Sequence, residues 1–155
     1  MFTDCNTVNM DFQTYTDQDF DKLLEMALVL WPDFGEAGLK RELQNMATSE
    51  RQETILAREN EDYIGFITVS TRIDYVEGAT SSPVGYIEGI FVKPDYRKTG
   101  IGRQLYQLGE QWCLKKGCQQ MGSDAYAWNK QSHEFHKRLG FDEEDTLVHF
   151  IKDIG

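Results

Sequence analysis

Apolar positions near the start of the chain follow two different periods. Val8, Met10 and Phe12 alternate with polar residues, which predicts a first strand. Residues 16–19 then resemble a capping box with Asp in place of the usual Glu, so we expect a helix that Pro32 ends. The inward face of this helix carries apolar residues at helical spacing, namely Phe20, Leu23, Leu24, Ala27 and Leu28.

The middle of the chain predicts a second helix and three strands. The helix covers Glu36–Met46, with Leu39, Leu43 and Met46 inward. The strands cover the segments Thr54–Arg58 and Tyr63–Arg72, which turn at residues 60–62, and Val84–Val92. The polar, small-residue segment Asp74–Pro83 is predicted to be a loop.

The last third predicts two helices and two short strands. One helix presents Ile101, Leu105, Leu108 and Trp112 on a single face and closes at residues 115–117. Short strands are expected at Met121–Tyr126, including its exit, and at Thr146–Lys152, and a helix at Gln131–Leu139 ends at Gly140. Hairpins mixed with helices predict an α/β (α+β) fold with a mixed sheet, and the lack of regular βαβα repetition disfavours a doubly wound nucleotide fold.

Length and charge limit the possible partners. The 155 residues predict one domain over 1–155, and the net charge is -10. Such an acidic chain lacks the basic surface that nucleic acids and anionic membranes attract, so cationic partners are favoured. The first 50 residues hold 10 acids and 3 bases, so most of the excess negative charge lies there.

The sequence predicts a cytoplasmic protein. It has no apolar run long enough to span a bilayer, and its first residues lack the basic and apolar parts of a signal peptide. Cys5, Cys113 and Cys118 form an odd set without metal or redox spacing, so reduced thiols and no bound metal are expected.

A glycine-flanked turn precedes the third predicted helix. Residues 97–102 read Arg-Lys-Thr-Gly-Ile-Gly, directly after a strand that ends near Pro94. Glycines let main-chain N–H groups approach an anion, and a helix N-terminus adds partial positive charge. Arg97, Lys98 and Arg103 add formal charge, so the turn is predicted to bind a diphosphate. The alternative is a glycine-rich helix cap with solvated arginines.

Two common nucleotide motifs do not fit this turn. A P-loop requires Gly-x-x-x-x-Gly-Lys-Ser/Thr and the dinucleotide fingerprint requires Gly-x-Gly-x-x-Gly. Here the position three after Gly102 is Leu105. The pattern is instead Arg-x-x-Gly-x-Gly.

At these residues the chain resembles the GNAT superfamily of acetyl-CoA-dependent N-acetyltransferases. Arg97–Gly102 matches the Arg/Gln-x-x-Gly-x-Gly/Ala signature, and Tyr86–Pro94 is similar to the strand before it. Asn129 and the segment 136–141, His-Lys-Arg-Leu-Gly-Phe, resemble the second family motif. The resemblance implies a mixed, mostly antiparallel sheet flanked by helices, with splayed central strands.

A narrower resemblance is to the aminoglycoside 6′-N-acetyltransferases. It is carried by Leu30-Trp31-Pro32-Asp33, by residues 82–92 and by Ser123-Asp124-Ala125. It implies acetyl transfer from acetyl-CoA to an amine of an antibiotic, by direct attack within a ternary complex. It also implies a homodimer.

The resemblance implies which residues hold the cofactor. Strand peptide groups would pair with pantetheine where a bulge at Gly89 exposes them, although Gly89 could merely relieve crowding. Main-chain N–H groups of the turn would hold the diphosphate, and Asn129 would bind the pantetheine region or simply cap a helix. The cofactor set is Ile90, Phe91, Val92, Arg97, Lys98, Thr99, Gly100, Ile101, Gly102, Arg103 and Asn129.

Three residues are candidates for the chemistry. Glu88 lies within an apolar strand, where an unpaired carboxylate would be costly, so a catalytic role is favoured over chance. By the resemblance Asp124 binds the substrate amine, although it could be a turn or cap residue. His136 stands where many GNAT enzymes have the tyrosine that protonates the leaving thiolate. His136 or solvent could donate this proton instead, or His136 could be a structural histidine on a short helix.

The remaining candidates are substrate contacts. Trp31, Phe34 and Tyr75 could form aromatic walls against ammonium groups, and Trp31 could equally be core. The run 142–145 is typical of a solvated face, from which Asp145 could reach a second amine. Rival functions are acetylation of another amine, such as a polyamine or a protein terminus, and a silent domain that senses acyl-CoA.

Overall fold

A single five-stranded sheet organises the computed structural model, which describes residues 10–155. The strands follow one another across the sheet in chain order. Three antiparallel pairings are followed by one parallel pairing, between the fourth and fifth strands. The strands are β1 (Met10–Thr14), β2 (Gln52–Glu59), β3 (Asp62–Arg72), β4 (Val84–Val92) and β5 (Met121–Ser123).

Four helices cover the two faces of this sheet. They are α1 (Phe20–Leu30), α2 (Glu36–Ala47), α3 (Ile101–Lys115) and α4 (Lys130–Arg138). The predicted capping box is confirmed, because the Asp19 carboxylate accepts the Thr16 N–H at 2.8 Å. The predicted stop is also confirmed, since α1 ends at Leu30 and Pro32 opens a short 3-10 turn.

The core divides into two clusters because successive residues of β3 face opposite sides of the sheet. Phe66 is fully buried in the cluster under α1 and α2, whereas Ile67 is fully buried under α3. The long β3 and β4 strands therefore lie between helices on both sides. This explains their nearly continuous apolar sequences.

Most predicted elements are confirmed to within two residues at each end. The turn between β2 and β3 lies at residues 60–61, and Gly117 and Gly140, both with positive φ, follow α3 and α4 as expected. The strand predicted at Met121–Tyr126 is shorter and ends at Ser123. Val8 and Cys5 lie outside the described residues.

The strand predicted at Thr146–Lys152 is wrong for the isolated chain. Residues 142–155 contain no helix or strand, and all of them are exposed. Alternation of apolar and polar residues indicates only that a segment suits a sheet, and a strand forms only where another strand offers an unpaired edge. In the described part of the chain this segment meets no such edge.

Cys113 and Cys118 are buried free thiols, in agreement with the sequence prediction. Over residues 10–155, none of the helices has the length and apolar character needed to cross a membrane.

Candidate active site

The centre of the candidate site is the point where β4 and β5 separate. The two strands pair over only three residues, from Gly85 opposite Met121 to Ile87 opposite Ser123. Beyond this point β4 continues to Val92, whereas the chain leaves β5 at Asp124. The edge of β4 that faces away from β3 is therefore open from Glu88 onward.

A bulge in β4 coincides with the start of this opening. Thr68 of β3 lies opposite Gly89 and Val69 opposite Ile87, so Glu88 is the extra residue without a partner. A Cβ at Gly89 would collide with the Trp31 ring. The bulge and the relief of crowding, which the sequence left as alternatives for Gly89, therefore occur together.

Main-chain groups of β4 point alternately to β3 and to the open edge. The N–H of Lys93 donates to the Ile64 carbonyl of β3 at 2.8 Å, so the main-chain groups of Phe91 also face β3. Those of Ile90 and Val92 face the opening. Three strand residues are predicted to bind pantetheine. Of these, Ile90 and Val92 present main-chain groups to the open edge, whereas Phe91 is a buried core residue.

The turn between β4 and α3 exposes a series of main-chain N–H groups. Gly100 has φ 89° and Lys98 has φ 61°, so the chain curls tightly before the helix. The first intrahelical bond runs from Gln104 N–H to the Gly100 carbonyl at 3.0 Å. Within residues 10–155, the N–H groups of residues 98–103 have no protein acceptor, which is the arrangement that binds phosphates at helix N-termini.

Two arginines of this turn stabilise the fold locally. Arg97 Nε donates to the Val92 carbonyl at 2.8 Å, and Arg103 Nη2 donates to the Arg138 carbonyl at 2.9 Å. A Cβ at Gly102 would lie 3.1 Å from the Phe135 ring, so this glycine allows α4 to pack against α3. The arginines add positive charge while their hydrogen bonds fix the turn, and the N–H groups remain available for an anion.

Glu88 is held by a cation that the sequence analysis did not assign to the site. Arg72 donates from Nε to Glu88 Oε1 at 3.0 Å and from Nη2 to Oε2 at 2.8 Å. Ser70 Oγ donates to Oε1 at 2.5 Å. Three hydrogen bonds therefore fix the orientation of the Glu88 carboxylate.

Asp124 is joined to the same group through Tyr86. The Tyr86 hydroxyl donates to Asp124 Oδ2 at 2.5 Å, and the Arg72 guanidinium lies 3.4 Å from the centre of the Tyr86 ring. Burial and the bond to Asp124 raise the pKa of Tyr86, so its hydroxyl stays a donor over the physiological range. The structure thus brings Glu88 and Asp124 together around Arg72 and Tyr86.

His136 connects α4 to β5. Its Nδ1 lies 2.7 Å from the Ser132 carbonyl, and its Nε2 lies 2.7 Å from Ser123 Oγ. A carbonyl accepts only, so Nδ1 carries the proton that it receives, and in the neutral ring Nε2 accepts from Ser123. Both nitrogens are therefore engaged, Nδ1 within α4 and Nε2 in holding this helix to the strand that precedes Asp124.

Asn129 caps α4. Its Oδ1 accepts the Ser132 N–H at 3.1 Å, as the capping alternative predicts. The amide nitrogen is not used by this bond.

The residues predicted to contact the substrate fall into two groups, the first of which follows helix α1. Trp31 is half-buried, 6.1 Å from Phe66 between ring centres, and it contacts the β4 bulge beside Glu88. Phe34 is exposed two residues after Pro32 and packs on Gly38.

Tyr75 and Asp145 belong to a separate exposed group. The nearby Glu77 carboxylate raises the pKa of Tyr75, and the charges of Asp145 and Glu144 add to this effect. The acidic run 142–145 is exposed, as expected of a solvated face.

Arg72 and Tyr86 are the site residues that sequence reasoning missed. Arg72 appeared only as the end of a predicted strand, and Tyr86 only as part of a motif. The signal that could have found Arg72 is the burial cost of Glu88, since a carboxylate in an apolar strand requires a cation on a neighbouring strand.

An open β4 edge, a turn whose N–H groups have no acceptor in the described residues, and a carboxylate at the strand separation could together accommodate an extended ligand with phosphate groups and an amine. The acetyltransferase (GNAT) family matches residues 20–141. The chain belongs to this family. The family prediction and the predicted fold, a mixed and mostly antiparallel sheet flanked by helices, are both confirmed.

Two curated relatives of this GNAT chain are named for the same activity. An aminoglycoside N(6′)-acetyltransferase type 1 of Acinetobacter genomosp. 13 is 40% identical over 85% of this chain and 90% of its own length. A protein with the same name from Acinetobacter baumannii is 34% identical over 94% of this chain and 100% of its own.

Solved structures agree with these relatives. The aminoglycoside N-acetyltransferase AAC(6′)-Iy in complex with CoA has a TM-score of 0.91 and 29% identity, covering 97% of this chain and 99% of its own. AAC(6′)-Iy with the bisubstrate analogue CoA-S-monomethyl-acetylneamine has a TM-score of 0.88 and 30% identity, covering 94% and 99%. AAC(6′)-Ih from Acinetobacter baumannii has a TM-score of 0.87 and 34% identity, covering 95% and 100%.

Proposed function

We propose that this protein transfers the acetyl group of acetyl-CoA to the 6′-amino group of aminoglycoside antibiotics. The observation that carries the proposal is the likeness, over nearly the whole chain, to an enzyme solved with a bisubstrate analogue of this reaction. The site supplies the matching chemistry. An anionic group, Asp124, lies at the end of the open strand edge where an amine and a thioester would meet.

Acetyl-CoA would lie along β4 and over the start of α3. Main-chain groups of Ile90 and Val92 are proposed to pair with the pantetheine arm as an added strand would. The free N–H groups of residues 98–103 would bind the diphosphate. Asn129 would bind pantetheine through its amide nitrogen, which the helix cap leaves unused.

Asp124 is proposed to bind the substrate ammonium and to orient the amine after it loses a proton. Alkyl amines are mostly protonated at neutral pH, so a site that acetylates them must hold the cation and remove its proton. The Tyr86 hydroxyl fixes one oxygen of Asp124, and no residue in the described part of the chain bonds to the other. This second oxygen is therefore placed to accept from the substrate.

Glu88 and His136 receive different roles from this geometry. The three donors hold the Glu88 carboxylate in one orientation, from which it would attract the ammonium, with Arg72 as its main partner. Because both nitrogens of His136 are engaged, we assign protonation of the leaving thiolate to solvent and give His136 a positioning role under Asp124. Attack of the neutral amine on the thioester carbonyl then forms the C–N bond and breaks the C–S bond. The proton that the nitrogen loses to solvent balances the one that solvent gives to the thiolate, so the products are the acetamide and free CoA, and the net proton released is the one that the ammonium lost before the attack.

Acetylation of kanamycin or tobramycin by the purified protein tests the proposed substrate. We expect acetyl-CoA-dependent product with the acetyl group on the 6′ nitrogen by NMR. No product with either antibiotic would rule out the proposal, and product with spermidine or an N-terminal peptide alone would favour the rival amine substrates.

Replacing Asp124 by Asn tests the catalytic site. We expect kcat/KM for the antibiotic to fall about 100-fold or more, while CoA affinity measured by calorimetry stays unchanged. Asp11→Asn, on exposed β1, is the matched control and should keep full activity. Unchanged turnover in Asp124→Asn would remove Asp124 from the mechanism, and a wild type that binds CoA without turnover would indicate an acyl-CoA sensor.

We also propose that the enzyme works in the cytoplasm as a homodimer. Buried reduced thiols suit a reducing compartment. Cell fractionation followed by an activity assay tests the compartment, with loss of the proposal if activity is periplasmic.

A further inference from the structure

One side chain anchors the segment between β4 and α3 in the body of the protein. Residues 93–100 are all exposed apart from Tyr96, which closes a short 3-10 turn over Pro94–Tyr96. The ring of Tyr96 packs against the core cluster under α3. An exposed segment with a single embedded side chain takes much of its position from that side chain.

The hydroxyl of Tyr96 reaches the hairpin formed by β2 and β3. It donates to Glu59 Oε2 at 2.6 Å, and Glu59 is the last residue of β2. This bond raises the pKa of Tyr96, because a phenolate beside a carboxylate is disfavoured. The hydroxyl therefore keeps its proton and remains a donor at neutral pH.

The main chain of the same residue is bonded to the bend before α3. The Tyr96 carbonyl accepts from Thr99 Oγ1 at 2.5 Å. Thr99 lies between Lys98 and Gly100, the two residues whose positive φ bends the chain there. Tyr96 is thus joined through its side chain to β2 and through its carbonyl to the middle of the bend.

The direction of the N–H groups depends on how this bend is held. The N–H groups of residues 98–103 have no acceptor within the described residues, and a diphosphate can meet several of them only if they converge. One arginine bond, from Arg97, ties the bend to β4, and another, from Arg103, ties α3 to the end of α4. The bond between Tyr96 and Glu59 adds a third attachment, to a strand that neither of these two bonds reaches.

We propose that Tyr96 and Glu59 are positioning residues for acetyl-CoA, which hold the turn before α3 in the orientation that binds the diphosphate. The inference rests on the proposed binding of acetyl-CoA at this turn. Neither side chain needs to touch the cofactor. Their hydrogen bond fixes the 3-10 turn, and the Thr99 bond carries that constraint to the N–H groups.

The charge of Glu59 makes the expected effect distinctive. A carboxylate attached to a phosphate-binding turn repels the anion, so removing the charge alone should strengthen CoA binding. Loss of the hydrogen bond should weaken CoA binding instead. Glu59→Gln separates these two opposite effects, because glutamine keeps an oxygen acceptor for Tyr96 but carries no charge.

Calorimetric titration of the full-length protein with CoA tests the pair. We expect the CoA dissociation constant to rise about threefold to tenfold in Tyr96→Phe and in Glu59→Ala, and to stay at or below the wild-type value in Glu59→Gln. The double variant Tyr96→Phe with Glu59→Ala should bind CoA no more weakly than the weaker single variant, because both changes remove the same bond. Wild-type affinity in Tyr96→Phe, or additive losses in the double variant, would overturn the proposal.

The two halves of CoA separate positioning of the diphosphate from general loosening of the site. Pantetheine lacks the diphosphate, so its dissociation constant, measured by NMR titration, should be the same in the wild type and in Tyr96→Phe. Adenosine 3′-phosphate 5′-diphosphate carries the diphosphate and should bind Tyr96→Phe more weakly, as CoA does. Equal losses for pantetheine and for the nucleotide would contradict a role in positioning the diphosphate.

Tyr63 provides a matched control, since its hydroxyl donates to the Asp19 carboxylate, also at 2.6 Å. This bond joins β3 to the 3-10 turn before α1 and involves no residue of the turn before α3. Tyr63→Phe should lower the midpoint of urea unfolding and leave CoA affinity unchanged. An equal loss of CoA affinity in Tyr63→Phe would mean that lower stability alone weakens binding, and the proposal would then be wrong.

The titrations contain no antibiotic, so they separate this inference from the proposed substrate. If the variants lose CoA affinity as expected and no aminoglycoside is acetylated, the inference holds and the proposed function is wrong. If aminoglycosides are acetylated and the variants bind CoA as the wild type does, the inference is wrong and the proposed function holds.

Discussion

Arg72 is the residue on which the two central carboxylates depend. It donates two hydrogen bonds to Glu88, and its guanidinium stacks on the ring of Tyr86, which in turn donates to Asp124. One cation therefore neutralises part of an acidic site before any substrate arrives. The geometry of the bidentate pair requires Arg and not Lys.

Replacing Arg72 by Met should destabilise the fold through Glu88. The Arg72 and Glu88 side chains are 40% and 23% exposed, so the cost lies between that of surface and buried pairs, about 1–3 kcal/mol in urea unfolding. The double variant Arg72→Met with Glu88→Gln removes the unpaired charge and should recover part of this loss. An unchanged unfolding midpoint in Arg72→Met would show that the pair contributes nothing to stability.

The buried thiol of Cys113 should make the free energy of unfolding fall as the pH becomes alkaline. Burial raises the pKa of this thiol to about 12, from an ordinary value of 9.0. The unfolded chain therefore releases the proton first, so the stability that comes from the neutral thiol is complete below pH 9 and is lost as pH rises towards 12. Urea unfolding at about pH 8.5 and about pH 10.5 should show a steeper decline for the wild type than for Cys113→Ala. Equal slopes would mean that Cys113 does not cause the decline, whatever the tyrosines contribute.

At the scale of elements, the turn before α3 shows how the main chain can form a binding site. Gly100 and Gly117 stand just outside the two ends of the same helix, both with φ 89°, and at either position a Cβ would meet no atom within 4 Å. A substitution at either position is therefore strained by the backbone alone. Only the first position belongs to the turn that is proposed to bind the diphosphate.

These two glycines give a matched test of the turn. Gly100→Ala and Gly117→Ala should each lower the free energy of unfolding by about 1–2 kcal/mol. CoA affinity by calorimetry should fall about tenfold or more in Gly100→Ala only, because its altered φ redirects the free N–H groups. Equal CoA affinity in the two variants would contradict main-chain recognition of the diphosphate.

The elements that could be predicted from the sequence are those that carry their own signals. The α1 stop at Pro32, the α3 face and the β4 strand each follow from local spacing and are confirmed. The bulge at Glu88 was anticipated from Gly89, but the pairing of Glu88 with Arg72 depends on a register between strands that no local pattern encodes. The strand prediction for 146–152 was wrong for a related reason, since strand formation depends on a free edge as well as on alternation.

At the scale of the whole molecule, the charged residues that give the net charge of -10 are unevenly distributed. Free N–H groups and three basic side chains form a positive region at residues 97–103, while Glu88, Asp124 and the run 142–145 are acidic. Separation of the two signs suits a reaction between an anionic thioester donor and a cationic acceptor. The excess negative charge would increase the rate at which polycations reach the site.

Neutralising the acidic run tests this effect. Replacing all four residues 142–145 by their amides should raise the KM for a tetracationic aminoglycoside severalfold at about 50 mM salt, and the difference should vanish at about 0.5 M salt because the charges are exposed and screened. A control with the same change in net charge on α1, α2 and their flanks replaces Asp17, Asp21, Glu42 and Glu50 by their amides. Equal effects of the two variants would mean that net charge alone, and not the position of the run, governs KM.

The row of unpaired N–H groups at residues 98–103 has a practical consequence for drug resistance. Main-chain donors are present whatever side chains other than proline the turn carries, so substitutions change this part of the recognition mainly by bending the turn. An inhibitor that competes for the diphosphate position would therefore leave the enzyme few routes of escape. Any mutation that weakened the inhibitor through the backbone would weaken the enzyme's own acetyl donor as well.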